Sequence, residues 1–301
     1  MKTFVISLAR TPDRLARFRK LNGDLVDAEH FAAVDGSRLS METLVTQGRF
    51  DRSVSYTRGA VGNALSHLTL WEHVRNTAQA ATICEDDAIL HSAFRSKTAE
   101  LLAAPASWDI VLWGWNFDSL LSAALLPNLS DCTLVFNQDA LRRNALEWRK
   151  REVTPQLFRL HRALGTCCYS ISPRGAERLL KYATPVRETQ VYFPLMNRIV
   201  PNSTLDIMLN GAYSALDSYV SFPPLAVTYN DHAASTVFET SASAGLKGQR
   251  RAEKAFIRSE RCSRKMSRRR DFMQTIVATK QDVEIFDGLH ETILQGDSRL
   301  P

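Results

Sequence analysis

The chain has 301 residues, 45% apolar and 23% charged, with thirteen glycines and eleven prolines. This is ordinary globular composition, enough chain to bury a full core, and it excludes a fibrous or disordered protein. No internal repeat or low-complexity tract is present, and no stretch approaches the roughly 18 apolar residues of a membrane span. The net charge of +6 is uneven: Lys247 to Arg270 hold eleven Lys/Arg against Glu253 and Glu260, a balance of +9, which leaves −3 for the rest.

The opening "MKTFVISLARTPDR" has an apolar run of about five residues before charge intervenes, too short for a signal peptide. The five cysteines (84, 132, 167, 168, 262) are odd in number and show neither a CxxC pair nor a zinc spacing. A reduced, cytoplasmic setting is therefore expected, with most cysteines as small core residues.

"TFVISL" (3–8) reads as a strand. In the following "ARTPDRLARFRKLNG", Thr11 can cap a helix, Pro12 suits its first turn, and Asn22-Gly23 stops it. "FAAVDG" (31–36) reads as a second strand ending in a turn, and Ser40 opens a helix that Gly48 closes. Residues 57–76 carry apolar side chains at 61, 64, 65, 68, 71 and 74, a stripe of helical period. "ATICEDD" (81–87) and "WDIVLWGWN" (108–116) are continuous apolar runs, as expected of strands covered on both faces. "GTCCYSIS" (165–172) is a strand, the next helix is capped by Ser172 with Pro173 in its first turn, and "PPLAVTY" (223–229) is a late strand. Alternation over about 230 residues predicts an α/β fold with a doubly wound, mostly parallel central sheet flanked by helices. From about 245 onward the chain reads as a basic helical C-terminal extension.

Glu85, Asp86 and Asp87 stand together at the end of a buried strand, where such sheets bind ligands. Three adjacent negative charges are costly to dehydrate unless a cation or strong donors compensate. Side-chain alternation would put Glu85 and Asp87 on one face and Asp86 on the other. A Walker-B role needs a GxxxxGK[ST] loop, and none exists here. An aspartyl phosphotransfer site lacks its partner pattern. The divalent-metal motif of a nucleotide-sugar transferase remains, as does a plain turn of solvated acids.

Several segments together resemble glycosyltransferase family 25. "VISLARTPDR" is similar to the family's opening strand and Arg-bearing helix start, and "AVDG" follows. "GAVGNALSHLTLW" resembles its G-x-x-G-C-x-x-S-H-x-x-x-W helix, with Asn63 where Cys is common. "ICEDDAIL" resembles its E-D-D block, "WDIVLWG" its next strand, and "GTCCYSISPRGAERLL" its G-T-x-x-Y-x-I-S-x-x-G-A element. "TLDIML" and "PPLAV" match later segments, with Thr228 where Gln is usual. Residues 117–160 have no counterpart and are read as an insertion or acceptor-side region within a domain spanning 1–244, with 245–301 as the extension.

The resemblance implies a GT-A-type, Rossmann-like fold and metal-dependent, inverting transfer of galactose from UDP-galactose to a glycan, lipopolysaccharide or lipooligosaccharide core. Mn2+ or Mg2+ would be held by Glu85, Asp86 and Asp87, with His232 as a late ligand. Asp206, from the "LDIML" match, would be the catalytic base. Leu8, Arg10, Asp13, Arg14, Asp35, Gly62 and His67 would lie at the donor, and Trp113, Trp115, Asn116, Gly165 and Thr166 at the sugar or acceptor. The competing readings are a satisfied core role for His67, core packing for the tryptophans and a helix cap for Asp206. A lipid-linked acceptor would suit peripheral attachment of the basic 247–270 stretch to anionic lipid on the inner membrane face. Protein-directed transfer of the hydroxylysine type is an alternative, and so is a non-enzymatic basic binding module. Nucleic acid is not expected as a partner, because the basic stretch lacks interleaved aromatics.

Overall fold

In a computed structural model, residues 1–193 and 197–229 are described; all but Phe193, Asn197 and Arg198 of these belong to one compact unit. The elements are β1 (Lys2–Ser7), α1 (Pro12–Asn22), β2 (Ala28–Ala32), α2 (Met41–Thr46), α3 (Arg58–Thr77), β3 (Ala81–Glu85), β4 (Ala88–Leu90), α4 (Phe94–Ala103) and β5 (Ile110–Gly114). There follow β6 (Leu120–Leu126), β7 (Ser130–Val135), α5 (Gln138–Trp148), β8 (Gln156–Ala163), β9 (Cys168–Ile171) and α6 (Pro173–Ala183). The last are β10 (Gln190–Phe193), β11 (Arg198–Pro201), α7 (Leu205–Leu209), β12 (Ser218–Phe222) and β13 (Ala226–Thr228).

Nine strands form one sheet in the order β2-β1-β3-β9-β5-β12-β8-β6-β7. The expected α/β alternation is present, but the sheet is mixed, not mostly parallel. β1 pairs in parallel with β2 and β3, and β5 with β12, whereas β9 lies antiparallel between β3 and β5. β8, β6 and β7 extend the sheet antiparallel. Residues 117–160 are thus largely sheet and helix, continuous with the core.

Alternation along the strands sorts the core into two layers. Ile83, Ile110 and Leu112 pack with Val61, Ala64, Leu68 and Leu179 of α3 and α6. Cys84, Val111 and Trp113 face the other way, against Phe18 of α1 and Phe94 of α4. Every stripe position of α3 (61, 64, 65, 68, 71 and 74) is buried. Thr57 caps that helix by accepting from the Ala60 N–H, and Ser172 caps α6 by accepting from Gly175. One boundary differs from expectation: the second strand is Ala28–Ala32, and "AVDG" leads instead into a short 3-10 turn, Gly36–Arg38. Its polar ending favours the turn, because the Asp35 carboxylate accepts from the Ser37 N–H at 3.1 Å.

β4 leaves the main sheet and pairs antiparallel with β13, Thr228 opposite Ala88. The corner between β3 and β4 is where the acidic triplet sits.

Candidate functional site

The three carboxylates at this corner point to three different sets of partners. Asp86 is buried and faces β1 and α1: Ser7 donates its hydroxyl to Oδ2 at 2.7 Å, and Arg14 grips Oδ1 through Nε at 2.8 Å and through Nη2. A charge-assisted, forked contact of this kind compensates a dehydrated carboxylate. Asp86 is therefore fully engaged within the protein.

Glu85 points toward α3 and the loop before β9. Its Oε1 accepts from Thr166 Oγ1 at 2.7 Å and lies 3.5 Å from His67 Nε2. Burial opposes its ionisation, but contact with His67, the Thr166 bond and the Arg14 charge bring the carboxyl below its ordinary value. His67 is itself held: Nδ1 meets the Tyr169 hydroxyl at 2.8 Å, and Trp71 Nε1 donates to the same hydroxyl at 2.8 Å. All three rings are fully buried, so His67 acts on the site through Glu85.

Asp87 differs from both. Oδ2 accepts from Thr228 Oγ1 at 3.0 Å, while Oδ1 is buried with no hydrogen-bond partner among the described residues. Burial, then the Glu85 charge, push this carboxyl up to about 6. Among the described residues, the corner thus holds more negative charge than the donors around it neutralise.

Gly165 and Thr166 tie Glu85 to Asp206. Asp206 lies in the first turn of α7 and accepts from the Gly165 N–H at 2.7 Å through Oδ2. Burial raises its carboxyl, and the Glu85 charge adds to the shift. Gly165 has φ +86, and a Cβ there would lie 2.3 Å from Asn116 Oδ1, so glycine is required on both counts. Asn116 is half-buried, its N–H bonded to the Leu164 carbonyl at 2.8 Å. The chain therefore brings Glu85, Asn116, Gly165, Thr166 and Asp206 into one connected group.

Beyond the ends of β1 and β2, Arg10 Nε lies 3.4 Å from Asp35 Oδ2, and the Ser37 bonds first, despite some burial, hold Asp35 below its ordinary value. Leu8 is half-buried there, its carbonyl accepting from Thr11, and Asp13 is exposed at the start of α1. Gly62 is a packing glycine: a Cβ would stand 2.3 Å from the Val34 carbonyl oxygen. Ser66 completes that junction by accepting from the Val34 N–H at 2.9 Å. Trp113 and Trp115 are fully enclosed, the first donating to Ser170 Oγ at 2.8 Å, the second stacked on Phe117 with centroids 4.8 Å apart. His232 and the basic stretch 247–270 lie outside the described residues.

The model of glycosyltransferase family 25 (LPS biosynthesis protein) matches residues 1–194. The chain belongs to glycosyltransferase family 25. A family-25 member of Drosophila melanogaster is 32% identical over 126 residues, which cover 38% of this chain and 21% of that relative. A human relative, named an inactive glycosyltransferase 25 family member 3, is 34% identical over 133 residues, again 38% of this chain and 21% of its own. The matches thus span about a fifth of these relatives' length. Among solved structures, A197 from STIV aligns with TM-score 0.33 at 10% identity, over 73% of this chain and 81% of its own, a weak likeness.

The family match takes in the triplet, the α3 helix and residues 117–160, which have no counterpart in the motif reading. Thr228, by contrast, lies beyond it. The sequence marks the position only as a Thr where Gln is usual in the family; that its hydroxyl meets Asp87 is shown by the fold alone. Tyr169 is the tyrosine of the G-T-x-x-Y element, but its bridge between His67 and Trp71 is legible only once the fold places it beside α3. Among the described residues no helix is long and apolar enough to cross a membrane.

Proposed function

We propose that this family-25 chain transfers a sugar, galactose from UDP-galactose, to a hydroxyl of a glycan acceptor such as lipopolysaccharide core, with inversion at the anomeric carbon. The observation that carries the reading is the buried Oδ1 of Asp87, without a partner among the described residues, at a strand-end corner in a chain of a glycosyltransferase family.

The donor set suits a hard divalent ion, because an orphaned carboxylate oxygen with uncompensated charge is what such an ion satisfies. Among the described residues, however, no three His, Cys, Asp or Glu side chains converge as a ligand set. Asp87, with Glu85 beside it, would hold Mn2+ or Mg2+, and diphosphate oxygens would complete the shell. A bound ion supplies charge neutralisation for the departing diphosphate. Asp86 and Arg14 keep the corner in place, and His67 and Thr166 hold Glu85 ionised and oriented. Asp206 takes the proton from the acceptor hydroxyl, and its raised carboxyl matches a base working near neutral pH better than an ordinary aspartate does. The Gly165 N–H fixes the orientation of that carboxylate. Arg10 and Asp35, past the ends of β1 and β2, suit the nucleotide.

A second reading, donor binding without turnover, is favoured by the relatives named inactive. UDP release from UDP-galactose with manganese, against EDTA and Asp87→Ala, tests both. Release that EDTA and the substitution abolish supports transfer, whereas tight UDP binding without release supports the second reading. UDP affinity indifferent to both treatments would remove the metal-centred account.

A further inference from the structure

Asp206 has neighbours that the chemistry above does not use. The Tyr182 hydroxyl, from α6, donates to the Met208 carbonyl of α7 at 3.2 Å, two residues past Asp206. Tyr56, just before α3, has its ionisation pushed up mainly by burial, and the Asp206 charge and Tyr182 both add to the shift. The Tyr56 hydroxyl accepts from Asn202 Nδ2 at 2.9 Å, which leaves its own proton to give. The same Asn202 nitrogen donates to the Arg187 carbonyl at 2.9 Å.

Two guanidinium groups face Tyr182. Arg187 lies over its ring, 5.7 Å from the centroid, and donates Nη1 to the Tyr182 carbonyl at 2.9 Å. Arg162, near the end of β8, donates Nη1 to the His161 carbonyl at 2.7 Å, and its Nε is buried without a partner among the described residues. Burial raises the Tyr182 ionisation, and the Arg187 and Arg162 charges pull against it. Arg14, Arg49, Arg174 and Arg178 are each paired with an Asp or Glu. Among the described residues, Arg162 and Arg187 have no such carboxylate. A partly dehydrated cation without a counter-charge is costly, and burial accordingly lowers the Arg162 ionisation from its ordinary value. Nε also belongs to the side-on edge of the guanidinium, which can grip a carboxylate or phosphate through two hydrogen bonds. The tyrosines beside it combine an apolar ring with a polar tip, which suits a sugar.

We propose that Arg162, Arg187 and Tyr56 form an anion subsite on the acceptor side of Asp206, so that the acceptor is an acidic glycan, one that carries a carboxylate or a phosphate close to its reacting hydroxyl. The acceptor role rests on the transferase reading; the anion site itself does not. Arg162 supplies the unmet Nε–H, Arg187 a second positive charge, and Tyr56 a hydroxyl proton between them and the base.

The test is calorimetric titration of the full chain with glucuronic acid, glucose 6-phosphate, glucose and inorganic phosphate, under saturating UDP and manganese so that the donor side is filled. Saturable binding of an acidic sugar, and none of glucose, is expected; the tighter of the two acidic sugars tells carboxylate from phosphate. Arg162→Gln and Arg187→Gln should each weaken that binding about tenfold or more. An arginine that served only the fold would lose stability on replacement, whereas Arg162→Gln removes an uncompensated charge and should leave the urea midpoint unchanged or raised. Arg187 is half-buried in the loop after α6, so its variant decides the matter if Arg162→Gln fails to fold. Affinity for UDP should be unchanged in both. Absent binding of either acidic sugar, equal binding of glucose, inorganic phosphate bound as tightly as the acidic sugars, or unaltered affinity in the folded variants would overturn the proposal. Acidic-sugar binding by a chain that binds no UDP would instead overturn the transferase reading and, with it, the acceptor role.

Discussion

Thr228 reaches across 141 residues of sequence to donate its hydroxyl to Asp87 at 3.0 Å. The bond joins the last described strand to the strand-end corner and fixes one carboxylate oxygen, which leaves the other directed and, among the described residues, unpaired. Thr228→Val keeps shape and removes the donor. Both Asp87 oxygens then sit in a dehydrated corner with the donor gone, and a loss of about 1–3 kcal/mol of stability is expected. Urea denaturation measures it. Manganese-dependent UDP affinity should fall as well; an unchanged affinity would mean that the bond serves the fold alone.

Asp86 makes a different prediction, because its role is internal. Arg14→Gln leaves a buried carboxylate without its cation, and breaking such a pair costs about 3–5 kcal/mol, less here because Arg14 is partly exposed. Asp86→Asn in the same chain removes the stranded charge. The double variant should therefore recover much of the loss, and a double-mutant cycle reads the coupling directly. Additive losses would show that Arg14 and Asp86 do not act as a pair.

How far the sequence discloses this arrangement depends on the range of the forces involved. The α3 stripe and the Ser172-Pro173 helix start are local, and both are where pattern places them. Strand direction is not local: a fully buried run such as "CCYSI" has the same apolar character in parallel or antiparallel pairing, so the reversal of β9 is invisible until its neighbours are known. β6, β7 and α5 are obscured for a related reason, since half-exposed residues blur the alternation that marks a strand or helix face. In the site, the acids announce themselves by crowding. Which acid is left unpaired does not, because Ser7, Arg14, Thr166 and Thr228 each come from a different element.

The junction between α3 and the "AVDG" turn depends on the absence of side chains. Gly62→Ala would place a Cβ 2.3 Å from the Val34 carbonyl oxygen and 2.7 Å from the Gly36 nitrogen. Both are backbone atoms and cannot rotate away, so the helix or the turn must shift. Overpacking of this kind costs about 1–3 kcal/mol. Thermal unfolding should show it, and Asp35 and Arg10 move with the turn, so nucleotide affinity should weaken too. A fully stable Gly62→Ala protein would contradict the close approach.

Asp206 gives the pH dependence. Its carboxyl is raised first by burial, with Glu85 of β3 adding to the effect, and the Thr204 hydroxyl and the Gly165 and Ile207 N–H groups pull against it. Tyr213 and Tyr56 also face it, and both are neutral at working pH, their ionisation pushed up mainly by burial. The folded protein therefore keeps this proton to higher pH than the unfolded chain does. Stability contributed by Asp206 is present below its ordinary value of 3.8, declines as pH rises through the raised value, and is level above that. Asp206→Asn retains an acceptor for the Gly165 N–H and removes the titration, so the variant should gain stability over the parent at neutral pH and lose that gain in acid. Transfer should fall roughly 10²–10⁴-fold with the base gone, and the acid limb of the kcat/KM profile should vanish with it. Denaturation across pH and a pH–rate profile on the two proteins separate these effects. Retained activity with an unmoved acid limb would assign the proton transfer to another group.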